Sequence, residues 1–395
     1  MTIDLELKIA DALWRIKALY NKTNGKCCLS FSGGKDSTVV AELILMAQKE
    51  YNLPDIPFVF ADTQVEYDAI YEFVDWFSKN KHPIEIVKPS KPFGKVLKEY
   101  GLPFGSKIKS EFINSYQNNK YYEYYLNKNC NNLEEKLQHL NKGVGELVSG
   151  HMCKKLNKED KIYYELRPEL LELAEQENIE LDKNWISLIL NGKFNSRERL
   201  ANKYMHVLHP DHEYKIASRC CDYVKKQPFY KYYADNGILG YFTGIRIEEG
   251  GVRAVQYKTC TSTKVVNGVT MWHKMPIFDW SDDNVNEFIE VFNVKISDVY
   301  TVYGLERSGC IGCPFSQQLE KNLEALYKYE PKKYKAVQNR LGKVYMDMEI
   351  ELPFDDEYMK NLEQRKKIIS ERRYQMLNLF RPEVAHKYNN NELGD

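Results

Sequence analysis

The apolar and polar positions of the first 90 residues alternate between strand-like and helix-like patterns. After an amphipathic opening helix, the run KCCLSF predicts a buried strand, and in DSTVVAELILMAQKE one helical face carries Val40, Leu43, Ile44 and Ala47. The runs DIPFVFADT and PIEIVKPS predict two further strands, with the helical VEYDAIYEFVDWFSKN between them. This alternation predicts an α/β fold of the Rossmann-like, doubly wound type with a mainly parallel sheet.

The pattern changes at about residue 111, where Asn, Lys, Tyr, Glu and Leu dominate with helical periods and few strand signals. Strand-like texture returns in ILGYFTGIR and TMWHKMPIFDW, and SDDNVNEFIEVF predicts a helix with Ser281 as its N-cap. Beyond Pro314 the periodicity is helical again. The predicted organisation is a first part of the α/β domain at 1–110, a mostly helical insertion at 111–215, the second part of the α/β domain with cysteines at 216–318, and a helical C-terminal extension at 319–395.

Composition narrows the class of protein but not its partners. Hydrophobic residues make up 43% and charged residues 28%, which is typical of a globular protein, and 56 basic residues balance 56 acidic ones. No apolar run approaches the roughly 20 residues that cross a bilayer, and the N-terminus lacks a signal-peptide pattern. We therefore expect a cytoplasmic protein whose nine cysteines do not form a disulfide framework and are free for metal binding, catalysis or burial, with Cys27 and Cys28 in the core of the first strand.

The segment SFSGGKDS joins the first predicted strand to the following helix. A glycine pair at this junction lets the backbone approach a ligand, and the first N–H groups of the helix point outward without helical partners. Ser32 and Ser37 add hydroxyl groups and Lys35 adds positive charge, so a phosphate or pyrophosphate is the expected ligand. The spacing differs from the Walker A loop and from G-x-G-x-x-G. The alternative is that Gly33 and Gly34 only form a tight turn.

SFSGGKDS resembles the pyrophosphate-binding loop of the adenine-nucleotide α-hydrolase superfamily, which includes phosphoadenosine phosphosulfate (PAPS) reductases, tRNA thiolases and the DNA phosphorothioation protein DndC. FADTQVEYDAIYEFV resembles the D-T-G-x-E-F stretch of PAPS reductases, with Gln64 in place of the usual glycine. TGIRIEEGGVRA resembles their T-G-I-R motif, in which the planar arginine fork suits phosphate or sulfate. An ordinary Asp-Thr turn and two salt-bridging arginines are the alternatives for these two stretches.

The resemblance implies catalytic roles for Lys35 and Asp36, with Asp36 helping to hold Mg²⁺. It implies nucleotide binding by twelve residues: Ser30, Ser32, Gly33, Gly34, Lys35, Asp36, Ser37, Asp62, Thr63, Gly244, Arg246 and Arg253.

Four cysteines form two pairs that are far apart in the sequence. Cys220 and Cys221 are adjacent in SRCCDYVKK, and Cys310 and Cys313 form C-x-x-C in SGCIGCPFS. A C-x-x-C turn aims two sulfurs at one point and suits a metal, although such a turn alone is equally compatible with redox chemistry. The two pairs together resemble the 4Fe–4S ligand pattern of adenosine phosphosulfate (APS) reductases and DndC-like proteins. The resemblance implies a 4Fe–4S cluster on these cysteines, with a structural zinc or unmetallated thiols as alternatives.

The position of the last cysteine bears on the reaction. Sulfonucleotide reductases use a cysteine near their C-terminus to attack the sulfate sulfur, whereas no cysteine follows Cys313 in this sequence. The resemblance then implies an ATP-dependent enzyme that forms AMP and pyrophosphate, with Mg²⁺ and the 4Fe–4S cluster, in sulfur transfer or nucleotide activation. Its other partners would be a nucleic acid and a cysteine desulfurase or another sulfur donor.

Two alternatives remain open. The chain could be an APS or PAPS reductase-type enzyme that uses a different thiol, such as Cys260 or a cysteine of a partner. It could also be a non-catalytic, nucleotide-binding subunit of a nucleic-acid modification complex. One local cluster of basic residues indicates either a polyanion surface or a solvated helix face: Arg365, Lys366, Lys367, Arg372 and Arg373.

Overall fold

The computed structural model describes residues 1–117, 200–250, 257–380 and Ala385. Its chain divides into two compact units. The first comprises Met1–Val96, Cys220–Ile311 and Lys321–Tyr334, and the second comprises Leu97–Arg219, Gly312–Glu320 and Lys335–Asp395. Most of the predicted insertion, at 118–199, lies outside the described residues, as does Arg253.

A six-stranded sheet lies at the centre of the first unit, and its neighbouring strands are parallel except for one pair. The order across the sheet is β3-β2-β1-β4-β6-β5, and only β5 and β6 are antiparallel. The strands are β1 Cys27–Phe31, β2 Phe58–Ala61, β3 Ile84–Val87, β4 Gly240–Phe242, β5 Thr261–Val266 and β6 Val269–Lys274. The predicted α/β fold with a mainly parallel sheet is confirmed. Because parallel strands share one carboxyl edge, the loops after β1, β2 and β4 lie at the same edge of the sheet.

The helices of the described residues occupy most of the predicted positions. They are α1 Ile3–Lys22, α2 Lys35–Tyr51, α3 Asp68–Asn80, α4 Phe93–Tyr100, α5 Lys107–Gln117, α6 Gln227–Asp235, α7 Asp282–Val291, α8 Asp298–Thr301, α9 Leu319–Tyr329, α10 Pro331–Asp347 and α11 Asp356–Phe380. Ser281 caps α7 as predicted, because its hydroxyl accepts the Asn284 N–H and the Asn284 side chain accepts the Ser281 N–H. None of these described helices is long and apolar enough to cross a membrane.

Helices cover both faces of the sheet. On one face, side chains of α6 pack with Cys28 of β1, Val59 of β2 and Met271 of β6. On the other face, Phe31 of β1 contacts the rings of α3, with ring centroids 5.1 Å apart for Phe31 and Phe77. Successive residues of a strand point to opposite faces, so β1 contributes to both layers of the core. Cys27 and Cys28 are both fully buried, as expected for this strand.

The antiparallel strand β5 was not predicted. It pairs with β6 through a two-residue turn at Asn267 and Gly268, whose φ angles are 49° and 80°. Both residues lie in the left-handed region, which a type I′ hairpin turn requires. The sequence VVNGVT thus contains a hairpin signal that strand periodicity alone does not capture.

The second unit contains a buried ionic cluster at the C-terminal helices. The Nε and Nη2 atoms of Arg365 donate to the carboxylate of Asp347 at 2.8 and 3.1 Å, and the Tyr214 hydroxyl donates to it at 2.7 Å. Asp347 is fully buried and the Arg365 side chain is 10% exposed. Arg365 therefore does not belong to a solvated basic helix face, which corrects that interpretation of the sequence.

Candidate phosphate-binding cleft and cysteine turn

The loop between β1 and α2 has the backbone geometry of a tight strand-to-helix turn. Gly33 has a φ of +70°, and a Cβ there would lie 3.1 Å from the side chains of Ile70 and Val74. The Ser37 hydroxyl donates to the Gly34 carbonyl at 2.8 Å and accepts the Ser32 N–H at 3.2 Å. The first turn of α2 therefore presents its N–H groups and two hydroxyls at the carboxyl edge of the sheet.

The loop after β4 packs directly on the first turn of α2. A Cβ on Gly244 would lie 2.6 to 2.8 Å from backbone atoms of Asp36 and Ser37, so only glycine permits this approach. The adjacent Thr243 hydroxyl hydrogen-bonds Nε2 of His273 at 2.7 Å. Burial lowers the pKa of His273 to about 4, which keeps the imidazole neutral near pH 7.

Arg246 lies at the centre of an ionic cluster beside this loop. Its Nε donates to Asp36 at 3.0 Å, its Nη2 to Asp282 at 2.6 Å and its Nη1 to Glu248 at 3.3 Å. The Arg246 side chain is only 4% exposed, whereas that of Asp282 is 58% exposed. Lys35 Nζ also donates to Asp282, at 3.2 Å. Although burial opposes the shift, hydrogen bonds from Arg246 and Lys35 lower the pKa of Asp282.

Two hydroxyl groups from the chain after α7 complete this region. The Tyr300 hydroxyl accepts the Lys35 N–H at 3.1 Å and donates to the Ser308 hydroxyl at 2.9 Å. A Cβ on Gly34 would lie 2.7 Å from Ser308 Oγ and 3.0 Å from the Tyr300 hydroxyl. Gly34 therefore leaves the space that these two hydroxyls occupy.

The loops after β1 and β4 and the chain around Tyr300 and Ser308 line a cleft of about 290 Å³. It brings together the predicted residues Ser30, Ser32, Gly34, Asp36, Ser37 and Gly244, and it is lined in addition by Thr243, Ile245, Tyr300, Glu306, Arg307 and Ser308. Hydroxyls, helix N–H groups and charged side chains thus converge on one concave surface, as expected of a site for a phosphorylated ligand.

The loop after β2 holds the predicted residues Asp62 and Thr63 by local hydrogen bonds. Asp62 accepts the Tyr71 hydroxyl at 2.7 Å and the Gln64 N–H at 3.0 Å, and the Thr63 hydroxyl donates to Glu66 at 2.9 Å. Gln64 has a φ of +66°, a left-handed conformation that favours glycine. A glycine would adopt this turn without strain, and this chain adopts it with a glutamine.

Lys225 lies near one cysteine of each cysteine motif. The pKa of Lys225 is raised, first by the charge of Cys310 and then by Glu66 and Cys221, and its ammonium lies 3.5 Å from the Glu66 carboxylate. The C-x-x-C turn is tied to the β2 loop, because the Ile311 N–H donates to the Val65 carbonyl at 2.7 Å. Cys221 and Cys310 thus share one cationic neighbour.

The described residues contain no group of three or more His, Cys, Asp or Glu side chains arranged to hold a metal ion. Cysteine thiolates are the usual ligands of iron–sulfur clusters, and a lysine beside Cys221 and Cys310 suits a cluster that carries negative charge. The 4Fe–4S cluster stays a prediction. The other cysteine pair is inert by comparison, since burial raises the pKa of Cys27 to about 12.

Comparison with known proteins places this site in a family. The family model described as the phosphoadenosine phosphosulfate reductase domain matches residues 26–123 and 135–316, which is more than half of the chain. The chain therefore belongs to the PAPS reductase domain family. The match spans the phosphate loop, the β4 loop and both cysteine pairs. It confirms the predicted family, and the α/β domain is a PAPS reductase-type nucleotide-binding domain.

A solved structure and the curated proteins add little to this assignment. The crystal structure of phosphoadenylyl-sulfate (PAPS) reductase from Candida auris in a phosphate complex matches at 11% identity and a TM-score of 0.36. The match covers 78% of this chain and 96% of that one. No curated protein matches the sequence.

Several polar residues of this PAPS reductase domain site were not predicted from the sequence. Asp282, Tyr300 and Ser308 reach the phosphate loop from positions 247 or more residues beyond Lys35, and no local motif marks them. Glu248 lies within the TGIRIEEGG stretch, two residues after Arg246. This short spacing was the only signal in the sequence for their contact. The roles of the predicted site residues toward a nucleotide stay predictions.

Proposed function

We propose that this PAPS reductase-family chain binds ATP and cleaves it to AMP and pyrophosphate, activating an acceptor oxygen for sulfur transfer. The carrying observation is that the cleft combines hydroxyl groups and helix N–H groups with the partly exposed Asp36 carboxylate, and that Arg246 links Asp36 to the exposed Asp282 carboxylate. Asp36 and Asp282 lie beside Lys35 and the first turn of α2. A metal-free phosphate would be repelled by these carboxylates, whereas a magnesium nucleotide would use them.

The chain's own groups have distinct tasks in this proposal. The N–H groups of α2 and the hydroxyls of Ser32 and Ser37 would bind the β- and γ-phosphates. Lys35 would offset the negative charge that develops on the leaving pyrophosphate. Arg246 would hold Asp36 and Asp282 in place, since its fork donates to both.

Mg²⁺ is the cation we propose for the nucleotide. Asp36 and Asp282 would hold it together with phosphate oxygens, because Mg²⁺ is commonly bound by one or two carboxylates plus substrate phosphates. When bound, Mg²⁺ would polarise the phosphoryl oxygens and neutralise charge on the leaving group.

We further propose that Cys220, Cys221, Cys310 and Cys313 hold a 4Fe–4S cluster. The support is their sequence spacing and the placement of Lys225 near Cys221 and Cys310. When bound, the cluster would supply an iron centre able to hold sulfur. By the resemblance of the loop to tRNA thiolases and DndC-like proteins, the acceptor would be a nucleic acid and the sulfur would come from a cysteine desulfurase or another donor.

Anaerobic incubation with ATP and Mg²⁺, PAPS or APS tests the reaction, with AMP, pyrophosphate and sulfite as the products measured. We expect AMP and pyrophosphate from ATP, with turnover reduced at least tenfold in Lys35→Ala. Lys26→Ala, a change of an exposed lysine before β1, is the matched control. Failure of the wild type to bind either ATP or PAPS would remove the nucleotide-enzyme proposal. ATP binding without turnover would instead indicate the non-catalytic subunit.

Iron content and visible absorption of the same anaerobic preparation test the cluster. We expect iron, a brown chromophore, and loss of both in Cys313→Ser, with Cys28→Ser as a control cysteine change outside the proposed ligand set. A colourless, iron-free wild-type protein would contradict the cluster while leaving ATP cleavage open.

One observation favours the second candidate, a sulfonucleotide reductase that uses Cys260. The Cys260 thiol accepts a hydrogen bond from Lys274 Nζ at 3.5 Å, next to the carboxyl end of β6. Nucleophilic cysteines typically lie in partly exposed, electropositive surroundings, and this contact gives Cys260 a cationic neighbour. Release of sulfite from labelled PAPS with thioredoxin, lost in Cys260→Ser, would support this candidate.

A further inference from the structure

Tyr300 lines the cleft, and no sequence motif gives it a role there. Its hydroxyl accepts the N–H of Lys35, the first residue of α2, and donates to Ser308. Burial raises the pKa of Tyr300, so the hydroxyl is neutral and keeps its proton as a donor. No motif of the phosphate loop accounts for this contact, which comes from a segment 265 residues further along the chain.

The hydrogen bonds show what these hydroxyls can offer to a ligand. A phosphate oxygen only accepts, and the Lys35 N–H is one of the helix donors that it would take. If a phosphate oxygen accepts that N–H, the Tyr300 hydroxyl loses the hydrogen bond that it now accepts. The hydroxyl hydrogens of Tyr300 and Ser308 can then reorient about their C–O bonds toward the same oxygen.

We propose that Tyr300 and Ser308 are phosphate-contacting residues of this cleft. Their hydroxyl groups donate hydrogen bonds to the nucleotide's phosphates, beside the N–H groups of α2. The inference rests on the proposed nucleotide binding and deepens it. Gly34 supports it, since the missing side chain leaves these two hydroxyls within reach of the loop.

The same pair connects the phosphate site with the cysteine turn. Ser308 precedes Cys310 by two residues, and the next residue, Ile311, is fixed to Val65 by its N–H. One short segment therefore carries a proposed phosphate ligand and the first cysteine of C-x-x-C.

Isothermal titration of the full chain with Mg²⁺–ATP and with pyrophosphate tests the inference. Tyr300→Phe removes the hydroxyl and keeps the ring, and we expect it to weaken both ligands about tenfold, the effect of losing one hydrogen bond to a charged group. Ser308→Ala is the second variant, with the same direction of change. Adenosine binding should not change in either variant, because adenosine carries no phosphate.

Tyr303→Phe is the matched control, since Tyr303 lies three residues later and its hydroxyl donates to Glu330 instead. It should bind ATP within about twofold of the wild type. Unchanged or tighter ATP binding by Tyr300→Phe, or an equal loss in Tyr303→Phe, would overturn the inference. Tighter binding would mean that the hydroxyl competes with the phosphate.

These outcomes separate the inference from the proposed reaction. If the wild type binds pyrophosphate or PAPS but forms no AMP from ATP, the reaction fails and the Tyr300 contact is still decided by the titration. If the wild type binds none of these ligands, both fail.

Discussion

Two arginines with little exposed surface, Arg246 in the first unit and Arg365 in the second, have similar partners and different surroundings. Each guanidinium bridges two or more carboxylates. The carboxylates around Arg246 remain accessible, with Asp36 at 23% and Asp282 at 58% exposure. Beside Arg365, Glu213 is 34% exposed but the Asp347 carboxylate is fully buried. The first cluster is open toward a cleft, and the second is closed around Asp347.

The difference indicates different uses of the same ion-pair chemistry. Closed clusters contribute through the high cost of leaving a buried charge without its partner. Open carboxylates can rehydrate when the arginine is lost, and their spare lone pairs remain available to a ligand or cation. We therefore expect changes at Arg365's cluster to affect folding and changes at Arg246's cluster to affect binding.

The largest effect is expected for Asp347→Ala. The variant leaves Arg365 and the Tyr214 hydroxyl without their shared acceptor in a buried environment. We expect the free energy of unfolding to fall by about 3–5 kcal/mol, as for a broken buried ion pair. Urea denaturation measures this change. Glu351→Ala, which removes an exposed partner of Lys366, should cost less than about 1 kcal/mol. Equal losses in both variants would show that the cluster is not closed.

Arg246→Met should reduce ligand binding more than it reduces stability. It removes the fork that holds Asp36 and Asp282 while keeping most of the apolar stem. We expect a loss of about 1–3 kcal/mol in unfolding free energy and at least tenfold weaker Mg²⁺–ATP binding by titration calorimetry. Arg246→Lys, which keeps the charge without the fork, should fall between wild type and Arg246→Met. A stability loss as large as that of Asp347→Ala with unchanged ATP affinity would remove the distinction between the clusters.

The sequence predicts the local parts of this molecule better than the parts assembled over long distances. The strands β1 to β4 and β6, the helix α2 and the cap at Ser281 follow from periodicity and capping within a few neighbouring residues. The phosphate loop is also contiguous, so its residue types could be recognised together. The hairpin strand β5 was missed because its polar, half-exposed residues TSTKVV lack a clear apolar face.

The remaining site residues could not be predicted because the fold brings them together. Asp282 meets Lys35 across 247 positions, and Tyr300 meets the Lys35 N–H across 265. Arg246 was recognised by residue type, but its enclosure by carboxylates depends on α7 and the β4 loop meeting at one edge of the sheet. A motif identifies the side chain, and only the packing shows which charge it faces.

The smallest expected effect is a decrease in the free energy of unfolding in mild acid, caused by two histidines near Asp347. Within the part of the chain that the structure describes, the buried Nε2 atoms of His206 and His212 have no hydrogen-bond partner. Burial lowers the pKa of His206 to about 3 and that of His212 to about 4, despite the attraction of Asp347. Both pKa values lie below the roughly 6.5 expected in the unfolded chain.

Because these folded-state pKa values are depressed, the unfolded chain binds protons first as the pH falls. The stability present above pH 6.5 is therefore lost as the pH falls toward these folded-state values, and over the first pH unit, from about 6.5 to 5.5, the loss is at most about 1.4 kcal/mol for each histidine. Urea unfolding at several pH values measures the slope, and His206→Gln should reduce it by about one proton. The Glu213 contribution is separable, because hydrogen bonds from Lys343 and Arg365 lower its pKa to about 2, so its loss begins only below about pH 4.5. A slope between pH 6.5 and 4.5 that is identical in wild type and His206→Gln would show that the buried imidazole takes up its proton without unfolding, and that this side of the cluster is open to water.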